Sequence, residues 1–269
     1  IIIGAALSCF IYKIKYGIAR YETEKPEIEL PTDRPAILLF SKTTGFRHEA
    51  AITASKPLFA DLAEKNDWYL YETEKAGVIN EEQLSQFEVV IWNNSTGRCL
   101  TDEQRVVLQN YVENGGGLIG IHGAGDDSHN WDWYENNLLG TRFSHHPVKN
   151  HLQKTEVLLK PLADSLIWRQ LPQTWTHTDE WYVFFDNPQK KDFNLIYTID
   201  GEKIDPNGNI LWVSSKDFGM GKDHPVAWFK NIEQGRTFYS SMGHTGETFS
   251  KPEFIQLIQN AIHWAGKIQ

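Results

Sequence analysis

Apolar runs without polar interruption recur through the first half of the chain, and stretches of helical character separate them. Residues 36–42 form the first such run, the pattern of a strand covered on both faces. Thr43, Thr44 and Gly45 open a loop into a helix over 48–65, whose apolar positions Ile52, Pro57, Leu58 and Leu62 fall on one side. A second strand follows at 68–72, a short helix at 81–86 and a third strand at 87–92. Thr101 with Gln104 has the spacing of a capping box and starts a helix running to residue 114. A fourth strand spans 116–122.

The second half is less regular. Strands are expected at 155–159, 193–200, 210–214, 225–230 and 236–242, and a helix at 162–171. Pro206, Asn207, Gly208 and Gly235 supply turns. An amphipathic helix with proline in its first turn closes the chain at 252–267. Strand and helix alternate in the manner of an α/β fold with a doubly wound, mainly parallel sheet. In such sheets ligands bind outside the carboxyl ends of the strands, so the loops at 43–48, 93–99 and 122–134 should share the functional edge.

His122 lies at that edge. The segment Gly120-Ile121-His122-Gly123-Ala124 ends an apolar strand on small residues, which permit close backbone approach and positive φ. The frame resembles the nucleophile elbow of class I glutamine amidotransferases, with His in place of Cys. Covalent acyl transfer of the amidotransferase kind would need a thiol there, whereas histidine serves as a general base or metal ligand. A core histidine donating to a carbonyl is the alternative.

Composition narrows the partners. In 269 residues, 41% hydrophobic and 13% aromatic side chains allow a substantial core, and the net charge of −9 without a late basic block argues against nucleic acid. Cys9 and Cys99 are the only cysteines, so neither a disulfide framework nor a cysteine zinc cluster is expected. The ten histidines make imidazole and carboxylate the plausible metal donors. Residues 1–12 are almost wholly apolar and precede Lys13 and Lys15. They read as the tail of a signal peptide or membrane anchor, which implies export or membrane attachment, although too short to span a bilayer alone; an N-terminal helix packed on a cytoplasmic domain is the other reading. The charged, proline-bearing stretch that follows, to residue 34, reads as a linker, and the folded domain should occupy 35–269.

Several further groups carry chemistry. Arg47 and His48 sit where a helix N-terminus would favour an anion or polar ligand, or else are a surface arginine and a capping histidine. Asp179 and Glu180 lie between aromatics, where a carboxylate must be paired, coordinated or neutralised. Alternation in an extended segment turns Glu180 to the side of Tyr182. His244 follows the strand at 236–242 and can reach the edge that holds His122. His122, Glu180 and His244 would suffice to hold a divalent, zinc-like ion with one position open to water. His145, His146 and His177 are further donors. Trp131, Trp133, Tyr134 and Trp181 flank these groups and, with the polar Asp126 loop, suit the C–H faces of a sugar ring or else form core.

Taken in order, Phe46-Arg47-His48, the His122 elbow with Asp126, Trp131, Trp133 and Tyr134, Gly140 with Phe143, His146-Pro147, Asp179-Glu180-Trp181-Tyr182, Pro225-Val226-Ala227-Trp228, the Gly235 to Tyr239 strand and Gly243-His244 resemble the ThuA (trehalose utilisation) family from about residue 36 to 267. The resemblance implies a class I amidotransferase-like, flavodoxin-like fold and a link with bacterial carbohydrate utilisation. It favours Glu180 over Asp179 and matches His146, not His145. A carbohydrate is then the expected small-molecule partner. Either an enzyme acting on a sugar or keto-sugar by acid/base or metal-assisted chemistry, or a non-catalytic carbohydrate-binding or scaffold module, would fit; an intact amidotransferase would not.

Overall fold

The computed structural model describes residues 9, 10, 12, 17–160, 166–211 and 214–268. Its strands are β1 (Ala36–Phe40), β2 (Tyr69–Thr73), β3 (Val89–Asn93), β4 (Gly117–Ile121), β5 (Phe143–His145), β6 (Leu152–Leu159), β7 (Thr174–Glu180), β8 (Val183–Phe184), β9 (Asn194–Ile199), β10 (His224–Ile232) and β11 (Gly235–Ser240). The helices are α1 (Glu49–Asn66), α2 (Glu81–Leu84), α3 (Asp102–Glu113), the single turn α4 (Asp132–Tyr134) and α5 (Pro252–Gly266). Nine strands form one sheet in the order β2-β1-β3-β4-β11-β10-β9-β6-β7, and β5 pairs with β8 in a separate ribbon. Strands β2, β1, β3, β4 and β11 are mutually parallel, and the antiparallel pairings beyond β11 return β9 and β7 to the same direction.

This is the doubly wound α/β architecture, and β1 shows why. Ile37 and Leu39 pack with α1 residues Leu58 and Leu62 and α5 residues Phe254 and Leu257, while Leu38 and Phe40 pack with Leu84 of α2 and Leu108 and Val112 of α3. A period of two turns successive side chains to opposite faces, so an unbroken apolar run is what a strand between two helical layers requires. The capping box at Thr101 and Gln104 is formed, with both reciprocal hydrogen bonds present.

Three expectations change. Residue 210 makes only an isolated bridge and Leu211 is a turn with φ +52°, so the described residues of the strand expected over 210–214 do not form one; residues 212 and 213 lie outside the described part. Of the helix expected at 162–171, residues 162–165 lie outside the described part, and Leu166–Trp168 is a 3₁₀ turn. Residues 17–34, read as a linker, run along the domain instead. Ile18 N–H donates to Thr44 O (3.2 Å), Glu22 pairs with the buried Lys42 (2.8 Å), Gln83 and Gln104 donate to Pro26 O and Glu22 O, and Ile28 and Leu30 pack on the core. Most of the apolar 1–12 segment lies outside the described residues; among those described, no helix is long and apolar enough to cross a membrane.

Candidate functional site

Because β4, β11 and β7 point the same way, the residues that follow or end them arrive at one edge of the sheet. His122 leaves β4 with φ +42°, a left-handed conformation that a non-glycine residue adopts only when its surroundings hold it. Its carbonyl accepts from the Tyr239 hydroxyl (2.8 Å), and its Nδ1 lies 2.7 Å from Ser241 O. A carbonyl only accepts, so Nδ1 carries the proton and Nε2 presents a lone pair in the neutral ring. That Nε2 faces His244 Nδ1 at 3.1 Å and Glu180 Oε2 at 3.5 Å. The next residue must be small: a Cβ on Gly123 would stand 2.9 Å from His48 Nδ1.

His48 precedes α1 and makes no side-chain cap. It is buried, and its Nδ1 has no hydrogen-bond partner. Burial first, then the neighbouring His122 and His244, push its pKa well below the usual imidazole value, so the ring is neutral. The rings of His48, His122 and His244 meet edge to face with centroids 4.8, 5.2 and 5.0 Å apart. Glu180 ends β7 beneath them. Its Oε2 is 3.2 Å from His244 Nδ1, and its Oε1 is 3.2 Å from Nδ1 of the half-exposed His146. Burial works against the Glu180 carboxylate, but the adjoining imidazoles of His122 and His244 overcome it and hold the acid well below the usual carboxylate range. For His244 the balance runs the other way in sign: burial lowers its pKa, the Glu180 hydrogen bond and charge raise it, and the net shift is upward.

One donor atom from each of His48, His122, Glu180 and His244 falls within 4.8 Å of all the others. Two ligands of a tetrahedral ion with bonds of about 2.0–2.1 Å sit about 3.3 Å apart, and three of the spacings here are 3.1, 3.2 and 3.5 Å. Three imidazoles and a carboxylate, one imidazole nitrogen buried without a partner, are a donor set that suits a zinc-like ion.

The remaining sequence candidates separate. His146 reaches Glu180, whereas His145 is tied to Ser144 Oγ (2.8 Å) and Pro206 O (2.9 Å). His177 donates to Asp179 and does not join the cluster directly. Arg47 is engaged by Glu74 at 2.8 and 3.0 Å and by Glu49 at 2.5 Å, so the expected ligand-facing guanidinium is part of a surface ion-pair network. Asp126 accepts from Ser128 N–H, and its charge adds to burial in raising the Tyr182 hydroxyl. Of the expected tryptophan wall, Trp181 is corrected, being 0% exposed with its indole donating to Gln153 O; Trp131 and Trp133 are half-buried, Trp133 donating to Glu113 of α3 and Trp131 packing on Trp133 and Tyr134. Tyr134 is fully buried and donates to Ala124 O. The aromatic neighbours of the cluster are instead Tyr182, 4.3 Å from the His122 ring, Phe143, 4.5 Å from Tyr182, and Phe46, 4.9 Å from His48 and 53% exposed.

Asp179 was legible only as the rejected partner of Glu180. It is fully buried; burial raises its carboxyl, but His177, His122 and the Gly243 N–H outweigh that and leave it below its ordinary value.

Comparison with known proteins bears on the same span. The fold is similar to that of a ThuA-like protein from Bacteroides uniformis (TM-score 0.70, 23% identity, covering 89% of this chain and 95% of that one) and another from Parabacteroides merdae (0.66, 16%, 87% and 90%). It is also similar to the glutaminase domain of Trypanosoma brucei CTPS with bound acivicin (0.50, 11%, 87% and 95%). No curated protein sequence matches the chain. Residues 36–265 match the family described as ThuA, trehalose utilisation. That span runs from the first strand into the last helix and contains His48, His122, Glu180 and His244, and on it the chain belongs to the ThuA family.

Proposed function

We propose that this chain is an enzyme acting on a sugar or keto-sugar, with a divalent zinc-like ion held by His48, His122, Glu180 and His244. The family's link with trehalose utilisation supports a carbohydrate substrate. The observation that carries the reading is the convergence of four donor atoms from four separate segments within 4.8 Å. Each of these groups is costly to bury unless paired, and core packing gives no reason to aim lone pairs at one another.

A bound ion of this kind polarises a carbonyl or hydroxyl oxygen and acidifies water. The chain's own residues do the rest. Ser241 fixes the His122 tautomer, and Glu180, ionised, faces both His122 and His244. His146, with its side chain 41% exposed and Nδ1 3.2 Å from Glu180, is placed to pass a proton between the cluster and solvent. Phe46 offers an exposed ring for the apolar face of a sugar. These groups fit hydrolysis, isomerisation or another proton transfer beside a carbonyl or glycosidic carbon. Glutaminase-type acyl transfer does not fit: His122 stands at the elbow, and burial pushes the Cys99 thiol up to about 12.

Elemental analysis of protein purified without chelator, alongside turnover assays on mono- and disaccharides and their keto derivatives, tests the proposal. The expected result is near-stoichiometric metal and turnover, both lost in His122→Ala without unfolding. Turnover without metal would move the reading to plain acid/base catalysis. Sugar binding that survives His122→Ala, with neither metal nor turnover, would favour a non-catalytic carbohydrate-binding module.

A further inference from the structure

The hairpin that delivers Glu180 is only partly anchored in the sheet. Strand β6 pairs with β7 from Leu152 to Leu158, but with β9 only from Val157 to Leu159. The end of the hairpin that carries Asp179 and Glu180 therefore projects past the sheet. His244 is in a similar position, on the loop beyond β11, after Gly243 with φ +121°. Neither segment has a ladder to fix its distance from the other.

One carboxylate bridges them. Asp179 Oδ2 accepts from Gly243 N–H (2.8 Å), His177 Nε2 (3.1 Å) and Thr248 Oγ1 (3.1 Å), and Oδ1 accepts from His244 N–H (3.1 Å) and Glu180 N–H (2.9 Å). Two of these donors are the backbone N–H groups of cluster residues themselves. A fully buried carboxylate with five donors is a rigid element, because moving any partner leaves a buried polar group unsatisfied.

We infer that Asp179 is a positioning residue, whose carboxylate ties the end of β7 to the Gly243-His244 loop and so sets the spacing of Glu180 and His244 in the cluster. The inference rests on the metal reading above and adds to it a residue that touches no ligand position. Groups that orient ligands from behind typically change metal affinity by about 10- to 100-fold when lost. Asparagine keeps the shape of Asp179 but places an N–H₂ against donors and removes the charge.

Cobalt(II) titration of the metal-stripped full chain, followed by its visible ligand-field spectrum, is the test. Asp179→Asn should weaken cobalt binding about 10- to 100-fold and alter the band positions, a change in coordination geometry that a uniform loss of stability would not produce. Thr248→Val, which removes one donor and keeps the carboxylate, should show the same spectral change with a smaller loss of affinity, and it decides the matter if Asp179→Asn fails to fold. Wild-type affinity and spectrum in the folded variants would overturn the inference alone. Absence of cobalt binding by the wild-type chain would overturn the metal reading and this inference with it.

Discussion

Single backbone torsions hold the cluster as firmly as its side chains do. Gly243 has φ +121°, a region open to glycine and strained for any other residue. A Cβ there would also stand 2.8 Å from Ile121 Cγ2. Gly243→Ala should therefore cost about 1–3 kcal/mol in denaturant melts and, because His244 comes next in the chain, lower metal content and turnover as well. Undisturbed turnover in a destabilised variant would separate His244 from the chemistry. At this scale the sequence was most legible where spacing has a geometric meaning. Alternation along β7 picked Glu180, and the small-residue frame marked His122. It was least legible for the tryptophans, because a cluster of aromatics near polar residues does not say which face of the loop they occupy. Trp131 and Trp133 turn toward α3, and Trp181 turns into the core. Arg47 misled for a related reason: Glu49 and Glu74 were both visible, but only the fold brings Glu74 across to it.

Among the elements, those built from local rules matched their sequence signatures. Strands β1, β3 and β4 are buried at every position and carry unbroken apolar runs in the sequence. Strand β2 is partly exposed as an edge strand, yet it is rich in the aromatic residues that favour strands. The capping box of α3 is a sharp case. Thr101→Ala should destabilise the domain by about 1 kcal/mol and leave the cluster's metal content unchanged, as measured by parallel melts and elemental analysis. A change in metal content would show that α3 is coupled to the site. Elements formed by pairing across long separations were less visible. The β5–β8 ribbon is two short strands with a register shift, and β7 buries Trp175, His177 and Asp179 along one face, where polar side chains replace the apolar run that marks the central strands.

For the whole molecule, residues 17–34 behave as part of the domain. Removing residues 1–34 would strip Ile28 and Leu30 from the core they cover and leave buried Lys42 without Glu22, a loss on the order of 3 kcal/mol or more. Removing residues 1–16 alone retains those contacts and should lower the melting temperature less; equal melting of the two truncations would return 17–34 to the role of a linker. Acid sensitivity is a second global property. His129 and His224 are buried, and burial lowers each from the usual 6.5 to about 4. The unfolded chain therefore binds protons first as pH falls. Stability is unaffected above 6.5 and declines between 6.5 and 4, by about 3 kcal/mol per histidine at the lower end. Urea midpoints measured from pH 7.5 to 4.5 should fall accordingly, and His224→Gln should flatten the profile.

The placing of the four donors has a consequence for how the molecule assembles. His122 and its orienting carbonyl at Ser241 are 119 residues apart, and β4 gains its neighbour β11 only after the chain between them has been crossed over. Contacts of such long separation form late and slowly. A partly folded chain, even one with β1 to β4 in place, holds His48 and His122 but neither Glu180 nor His244. Any ion that needs all four would bind only the completed fold and so act as a pin driven in last: it would slow unfolding far more than it hastens folding, and chelation would shorten the lifetime of the native state before any change in its shape could be seen.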